Sequence, residues 1–273
     1  VDSRPVALVT GASSGIGEQI ARALAGDGFR VFGTSRRDRA DRDGVEMLRL
    51  EVTSPESVRS CVERVLDRAG RIDVLVNNAG VMHEGLAEET SIDEAGDVFA
   101  TDFFGVVRLT DAVLPGMRER GAGRVVNIGS LAAWVGEPGE GFYAAAKAAL
   151  ARYTEALGYE VRPLGISVSL VEPGAFVTPV VEAATASEHA IADYDAIREA
   201  ARGTLRRGLE NGGDPRRVGR LVSAIARARS PRPRYGVGRG GTAIPLLKVL
   251  LPRRWFDALL TRAYGLPART TRQ

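Results

Sequence analysis

Tyr143 and Lys147 stand four residues apart in the stretch EGFYAAAKAALARYTEAL, residues 140 to 157. Lys147 is one of only two lysines in a chain whose other basic side chains are arginines. The alanine-rich run reads as a helix, and a spacing of four puts both side chains on one face, one turn apart. An ammonium beside a phenol favours the phenolate, which lowers the tyrosine pKa toward working pH and makes it usable as a general acid or base. Arginine serves this less well. Its planar fork prefers bidentate partners, whereas the compact lysine head reaches a phenol and a second hydroxyl together. The same spacing also occurs on ordinary solvated helix faces, so the pair has to be judged by what surrounds it.

A second constellation sits near the start of the chain. Residues 10 to 17, TGASSGIG, follow the apolar run VALVT and open a helix. That context is what a dinucleotide-binding loop requires. Gly11 allows the tight turn, Gly15 lets backbone approach a pyrophosphate, and Gly17 permits close helix packing. Ser13, Ser14 and Ile16 complete the loop, whose amides and helix dipole face the negative charge. Cofactor choice is read at the end of the second strand, GTSRRD. Ser35 stands where an acid would hold a ribose hydroxyl, and Arg36 and Arg37 follow; this favours the 2′-phosphate of NADP(H). No metal is predicted. His83 and His189 are far apart and lack Cys or carboxylate partners at ligand spacing.

Six short apolar runs that could carry these residues read as strands: 6–10, 30–35, 47–52, 72–77, 124–129 and 166–172. Helical segments alternate with them at about 16–27, 55–69, 92–119, 142–162 and 214–229. The alternation predicts an α/β fold with a doubly wound, mostly parallel sheet flanked by helices on both faces. With 273 residues and 44% hydrophobic content, a single large domain is expected. Residues 1–240 form its body, and 180–212 lie between a PG turn and a DP helix start as a helical flap. Residues 241–273 form an amphipathic helical extension broken at Pro252. That tail has three readings: a cover for the substrate pocket, a subunit interface, or a peripheral membrane contact with Arg253 and Arg254 toward head groups. One cysteine, Cys61, and no signal-like start predict a cytoplasmic protein. The net charge of +3 from 37 basic and 34 acidic residues gives no basis for nucleic-acid binding.

With TGASSGIG and YAAAK in place, residues 4 to 240 resemble the short-chain dehydrogenase/reductase family, and NNAG (77–80), NIGS (127–130) and PGAFVT (173–178) fall in family order. Within it the chain resembles NADP-preferring, hydroxysteroid/retinol-dehydrogenase-like or ketoreductase-like members. The resemblance implies a single Rossmann domain with a seven-stranded sheet. It implies that Ser130 orients a substrate carbonyl, Tyr143 donates the proton, and Lys147 tunes the tyrosine while holding the nicotinamide ribose. It places Asn78, Ala79, Gly80, Pro173, Gly174, Phe176 and Thr178 along the cofactor, with Glu51 and Val52 near the adenine. A homodimer or homotetramer is implied too. The family's usual asparagine in the FATDFFGVV context is here Asp102, whose negative charge would offset the lysine's effect on Tyr143. Val81, Met82, Leu131, Trp134, Phe142, Phe176 and Val180 are expected to make an apolar substrate pocket, with His83 and Glu137 as polar exceptions. A hydrophobic ketone or secondary alcohol follows as the substrate, with hydride transfer as the chemistry. Two alternatives share the fold: a cofactor-binding protein with little turnover, and a non-redox isomerase or cyclase.

Overall fold

The computed structural model describes residues 2–178 and 184–266. Val6–Val9 form β1, followed by α1 (Gly15–Gly26), β2 (Arg30–Ser35), β3 (Val45–Arg49) and α2 (Pro55–Ala69). Next come β4 (Val74–Asn77), the short β5 (His83–Glu84), α3 (Ile92–Phe99), α4 (Gly105–Arg120) and β6 (Gly123–Ile128). The catalytic-helix candidate is α5 (Gly141–Val161), and β7 (Ile166–Pro173) follows it. The chain ends with β8 (Thr185–Ala186), α6 (Asp195–Glu210), α7 (Arg216–Arg227), β9 (Arg234–Val237), α8 (Ala243–Leu250) and α9 (Arg253–Tyr264).

Seven strands make one sheet in the order β3-β2-β1-β4-β6-β7-β9, with every pairing parallel. Strand residues alternate between the two faces, which explains the two cores. Leu8, Phe32, Leu75 and Val125 pack with Val65 of α2, Leu109 of α4 and Leu157 of α5. Ala7, Val9, Val31, Val76 and Val126 pack with Ile20 and Leu24 of α1 and Val218 and Val222 of α7. Chain direction across the sheet reverses between β1 and β4, which opens a crevice at the strands' carboxyl ends.

A buried polar ladder fixes α5 over the sheet. Asn77 Nδ2 donates to Asn127 Oδ1 (2.9 Å) and Thr110 Oγ1 (3.1 Å), and Asn127 Nδ2 donates to Thr154 Oγ1 (2.9 Å). These bonds tie β4, β6, α4 and α5 together, so the orientation of α5 is set by directional contacts as well as by packing.

Three expectations change in detail. The third strand ends at Arg49 rather than 52, because Glu51 N–H donates to Ser57 Oγ (2.9 Å) and the chain turns there into α2. The long helix expected over 92–119 is interrupted by a π-helical turn, Ala100–Phe104. This wider turn carries Asp102, which is fully buried. The seventh strand, β9, comes from RYGV, a half-exposed run with arginine and glycine that carries no apolar pattern. The tail does break at Pro252, and α9 packs against α6 and α8. Among the described residues no helix is long and apolar enough to cross a membrane.

Candidate active site

A cleft of about 1230 Å³ runs along the carboxyl edge of the sheet. One end is the glycine loop. Gly11 and Gly15 take positive φ values of 64° and 57°, and a Cβ on Gly17 would lie 2.2 Å from Gly11 O. The N-cap of α1, Ser14, makes no side-chain cap bond, so the first-turn amides are left for an incoming ligand. Thr10 Oγ1 accepts from the amides of Asn78 (2.8 Å) and Ala79 (2.9 Å), which locks β1 to β4 at the crevice. These features fit a dinucleotide pyrophosphate.

Ser35, Arg36, Arg37, Glu51 and Val52 line the same end, joined by Arg39, which the sequence reading passed over. Ser35 Oγ accepts from Arg37 N–H (3.3 Å), so the serine shapes the turn that presents the arginines. Asn78, Ala79, Gly80, Pro173, Gly174, Phe176 and Thr178 line the middle of the cleft. Phe176 is clamped there by Gly213 and Gly238, where a Cβ would lie 3.0 Å and 2.8 Å from its ring.

Ser130, Tyr143, Lys147 and Asp102 meet at the centre. Ser130 ends the loop after β6, and its Oγ accepts from Ala132 N–H (3.1 Å), which fixes the hydroxyl. Lys147 Nζ lies 5.5 Å from the Tyr143 ring centroid and 3.0 Å from Asp102 Oδ2. Asp102 Oδ1 accepts from Val81 N–H (2.8 Å). Burial pushes the Asp102 carboxyl above the usual carboxylate range, against the pull of Lys147 and the Val81 amide. Burial works against the Lys147 ammonium, but Asp102 and Tyr143 outweigh it and hold the ammonium firmly protonated.

The expected lowering of the Tyr143 pKa is not what the structure gives. Burial raises the phenol, Lys147 and a hydrogen bond with Ser130 lower it, and Asp102 and Glu140 raise it again, leaving it above its ordinary value. The lysine's pull is real, but a buried carboxylate 3.0 Å from the ammonium cancels much of its field.

Beyond Tyr143 the cleft is walled by Val81, Met82, Leu131 and Phe176. Thr204, Leu205, Arg207 and Leu209 of α6 cover it, together with Ile244 of α8 and Ala263 and Tyr264 of α9. Three expected pocket residues lie elsewhere. Trp134 donates through Nε1 to Glu172 Oε1 (3.0 Å) and stacks under Arg234 (4.2 Å), because its indole N–H finds a buried carboxylate beside β9. His83 is buried, its ring nitrogens bonded to Thr185 Oγ1 (3.0 Å) and Ser187 Oγ (3.1 Å), and it staples β5 to β8. Phe142 is half-buried and does not reach the cleft. Val180 falls outside the described residues.

Glu140 was missed although it lies only three residues before Tyr143. A charged residue at the start of a helix reads as a solvated cap, but Glu140 is buried at the cleft wall. Tyr264 had no local signal at all. Its hydroxyl donates to Glu137 Oε2 (2.7 Å) across 127 positions of sequence.

The short chain dehydrogenase profile matches residues 5–189. The chain is 38% identical over 250 residues to a 3-ketodihydrosphingosine reductase of Bacteroides thetaiotaomicron, covering 91% of each. It superposes on a solved short-chain dehydrogenase from Streptomyces avermitilis with a TM-score of 0.83 at 37% identity, covering 98% of this chain and 100% of that one. It is also similar to an actinorhodin polyketide ketoreductase solved with NADPH, with a TM-score of 0.71 at 35% identity, covering 83% of this chain and 91% of that one. On this fold and these matches, the chain belongs to the short-chain dehydrogenase/reductase family, oxidoreductases that act on carbonyl and alcohol groups with a nicotinamide cofactor.

Proposed function

We propose that the protein is an NADPH-dependent reductase of a hydrophobic ketone, with Tyr143 as the general acid. The observation that carries this reading is the meeting of Ser130, Tyr143 and Lys147 between a phosphate-binding loop and an apolar, helix-covered end of one cleft. Bound NADPH would supply the hydride to the carbonyl carbon. Ser130 and Tyr143 hydrogen-bond the carbonyl oxygen, and Tyr143 passes its proton there as negative charge develops. Lys147 holds the proton-donating phenol and a ribose hydroxyl in register. The alcohol forms as one hydride and one proton are taken up. A phenol held above its ordinary pKa stays protonated near neutral pH, which suits it to reduction rather than oxidation.

Preference for NADPH is supported by Ser35 in place of an acid and by Arg36, Arg37 and Arg39 along the same wall. Met82, Leu131, Leu205, Leu209 and Ile244 support an apolar substrate. The readings of residues 241–266 as a pocket cover and as part of the same domain are supported by α8 and α9 contributing to the cleft wall. Exposed Phe104 on the π turn and Tyr159 on α5 support self-association as a homo-oligomer, and the single cysteine, Cys61, supports the reading of a cytoplasmic protein.

The deciding experiment follows NADPH absorbance with purified protein and a panel of hydrophobic ketones. Turnover is expected with at least one ketone. Tyr143→Phe should lower kcat by about 10²–10⁴-fold while NADPH still binds. Comparable turnover in Tyr143→Phe, or no NADPH oxidation with any ketone, overturns the reading.

A further inference from the structure

We infer that the outer face of α8 and α9 is a docking surface for an anionic lipid bilayer, so that the two helices that cover the cleft on one side rest on lipid with the other. The surface stands apart from the ketone-reductase reading of the cleft, and measuring it needs no turnover.

Of the eight residues of α8, Ala243–Leu250, only Lys248 is charged, and none of the eight is buried. A helix apolar all round belongs in a core or in lipid, yet this one faces outward. Leu246, Leu247, Val249 and Leu250 are between 43% and 74% exposed. On α9 the apolar residues divide. Phe256 and Tyr264 are buried, and Tyr264 lines the cleft together with Ala263 and with Ile244 of α8. Trp255 and Leu259, four apart and so on one stripe, turn away from that packing and are 60% and 54% exposed. Arg262 continues the same stripe one turn further on. A contiguous exposed apolar face with a polar rim marks an interaction site, whereas single exposed side chains do not.

Charge selects the occupant. Residues 241–273 carry six basic side chains against one acidic one, Asp257, in a chain whose net charge is only +3. Asp257 lies 3.5 Å from Arg253, and among the described residues no carboxylate pairs with Lys248, Arg254 or Arg262. Lys248 Nζ lies 4.7 Å from the centroid of the Phe256 ring, a contact that leaves its charge uncompensated. Arginines and a lysine around leucines and a tryptophan match anionic head groups above an acyl boundary, where each cation strengthens binding by about fivefold.

Other occupants fit less well. A second copy meeting this face by two-fold symmetry would set each basic rim against itself. A protein partner needs directional pairing, about one hydrogen bond per 100–200 Å², and the exposed run 246–250 offers only the Lys248 ammonium. At about 1.5 Å per residue α8 is far too short to cross a bilayer, so it lies in the head-group boundary.

The test mixes full-length protein with vesicles of phosphatidylcholine alone, or of phosphatidylcholine and phosphatidylglycerol in equal parts, and reads bound protein by flotation. Binding to the mixed vesicles should be at least tenfold tighter than to phosphatidylcholine and should weaken as salt is raised. Trp134, the other tryptophan, is held between Arg234 and Glu172, so a blue shift of emission on adding vesicles reports Trp255 and should vanish in Trp255→Phe. Arg254→Gln with Arg262→Gln should weaken binding by about twentyfold, and Val249→Ser with Leu250→Ser by about tenfold or more. All four side chains are exposed, so melting temperatures should match the wild type; where one pair lowers it, the other pair decides. No binding to the mixed vesicles, equal binding to both kinds, or binding unchanged in both double variants overturns the surface. So does a particle mass in lipid-free solution that falls in Val249→Ser with Leu250→Ser, because a second copy then covers the face. Ketone turnover is read separately, and its absence leaves vesicle binding to stand or fall by itself.

Discussion

Asp102 Oδ2 and Lys147 Nζ lie 3.0 Å apart, buried where the π turn meets α5. The other carboxylate oxygen is taken by Val81 N–H, so the aspartate has one fixed pose. An asparagine in that pose, with its oxygen kept on Val81, would turn its NH₂ toward the ammonium and set donor against donor. The aspartate thus does two things that an asparagine there would not. It anchors Lys147, and it reduces the positive field that Tyr143 feels.

Asp102→Asn should therefore lower the Tyr143 pKa, since the nearest negative charge is removed while the ammonium remains. With Tyr143 as the proposed base for oxidation of the product alcohol, the rising limb of that reaction's pH profile should move to lower pH. Reduction at neutral pH should change less. Profiles of kcat/KM for oxidation against pH measure this, and identical profiles for variant and wild type would show that the charge of Asp102 does not reach the phenol.

The cofactor end makes an independent prediction. Ser35 is nearly buried, lines the cleft and accepts from Arg37 N–H. Ser35→Asp combined with Arg36→Ala places a carboxylate where the 2′-phosphate is proposed to lie and removes one of its cations. Each lost charge-assisted bond is worth about 1.5–3 kcal/mol, so NADPH affinity should fall at least tenfold while NADH gains. Dissociation constants from fluorescence titration of both cofactors are the readout, and an unchanged NADPH preference would count against the arginine wall.

Much of this site could be read from local sequence, and the reasons it could differ by residue. The glycine loop, Tyr143 with Lys147, and the parallel sheet were legible because each rests on a short-range pattern: a strand-turn-helix, a step of four, and short apolar runs alternating with helical segments. Trp134 and His83 were misplaced because an apolar or aromatic residue near a site says nothing about where its polar atoms find partners. Glu172 and the Thr185–Ser187 segment, 38 and more than 100 positions away, decided both. The same limit hid Tyr264, whose partner is 127 positions distant. The strand β9 escaped because an edge strand half-open to solvent lacks a hydrophobic period.

The cover of the cleft is latched by the ion pair of Arg198 with Glu89, and Arg202 of the same helix lies 3.6 Å from Glu84 of β5. Glu89 is buried and accepts from Arg198 of α6 and from Ile191 N–H (2.8 Å). The Arg198 hydrogen bonds hold its carboxyl down at about 2, from an ordinary 4.5. A carboxyl depressed in the fold contributes stability above its unfolded pKa and loses it as pH falls through the folded one, here between about 4.5 and 2. Glu89→Gln should mimic that loss at neutral pH and weaken the docking of α6 by about 1–3 kcal/mol. Amide hydrogen exchange across Asp195–Glu210 should quicken in the variant while β1 and β4 stay protected. Uniformly faster exchange, or none, would show that this pair is not a local latch.

Glu140 should reveal itself in the pH dependence of stability. Its carboxyl is raised to about 8 in the fold, from an ordinary 4.5. The native state therefore holds a proton that the unfolded chain releases, so stability from this group is present below pH 4.5 and is lost as pH rises through about 8. Glutamine is neutral throughout and carries no such loss. Glu140→Gln should thus melt at nearly the same temperature as the wild type in mild acid, and at a higher one in alkali, with the gap opening between these pH values. Melting curves at about pH 4.5 and about pH 9 measure it. A gap that does not grow with pH would mean that the carboxyl is relieved by a partner and is not held against repulsion from Glu137 and Glu84. A gap that does grow identifies a group the fold is better off without.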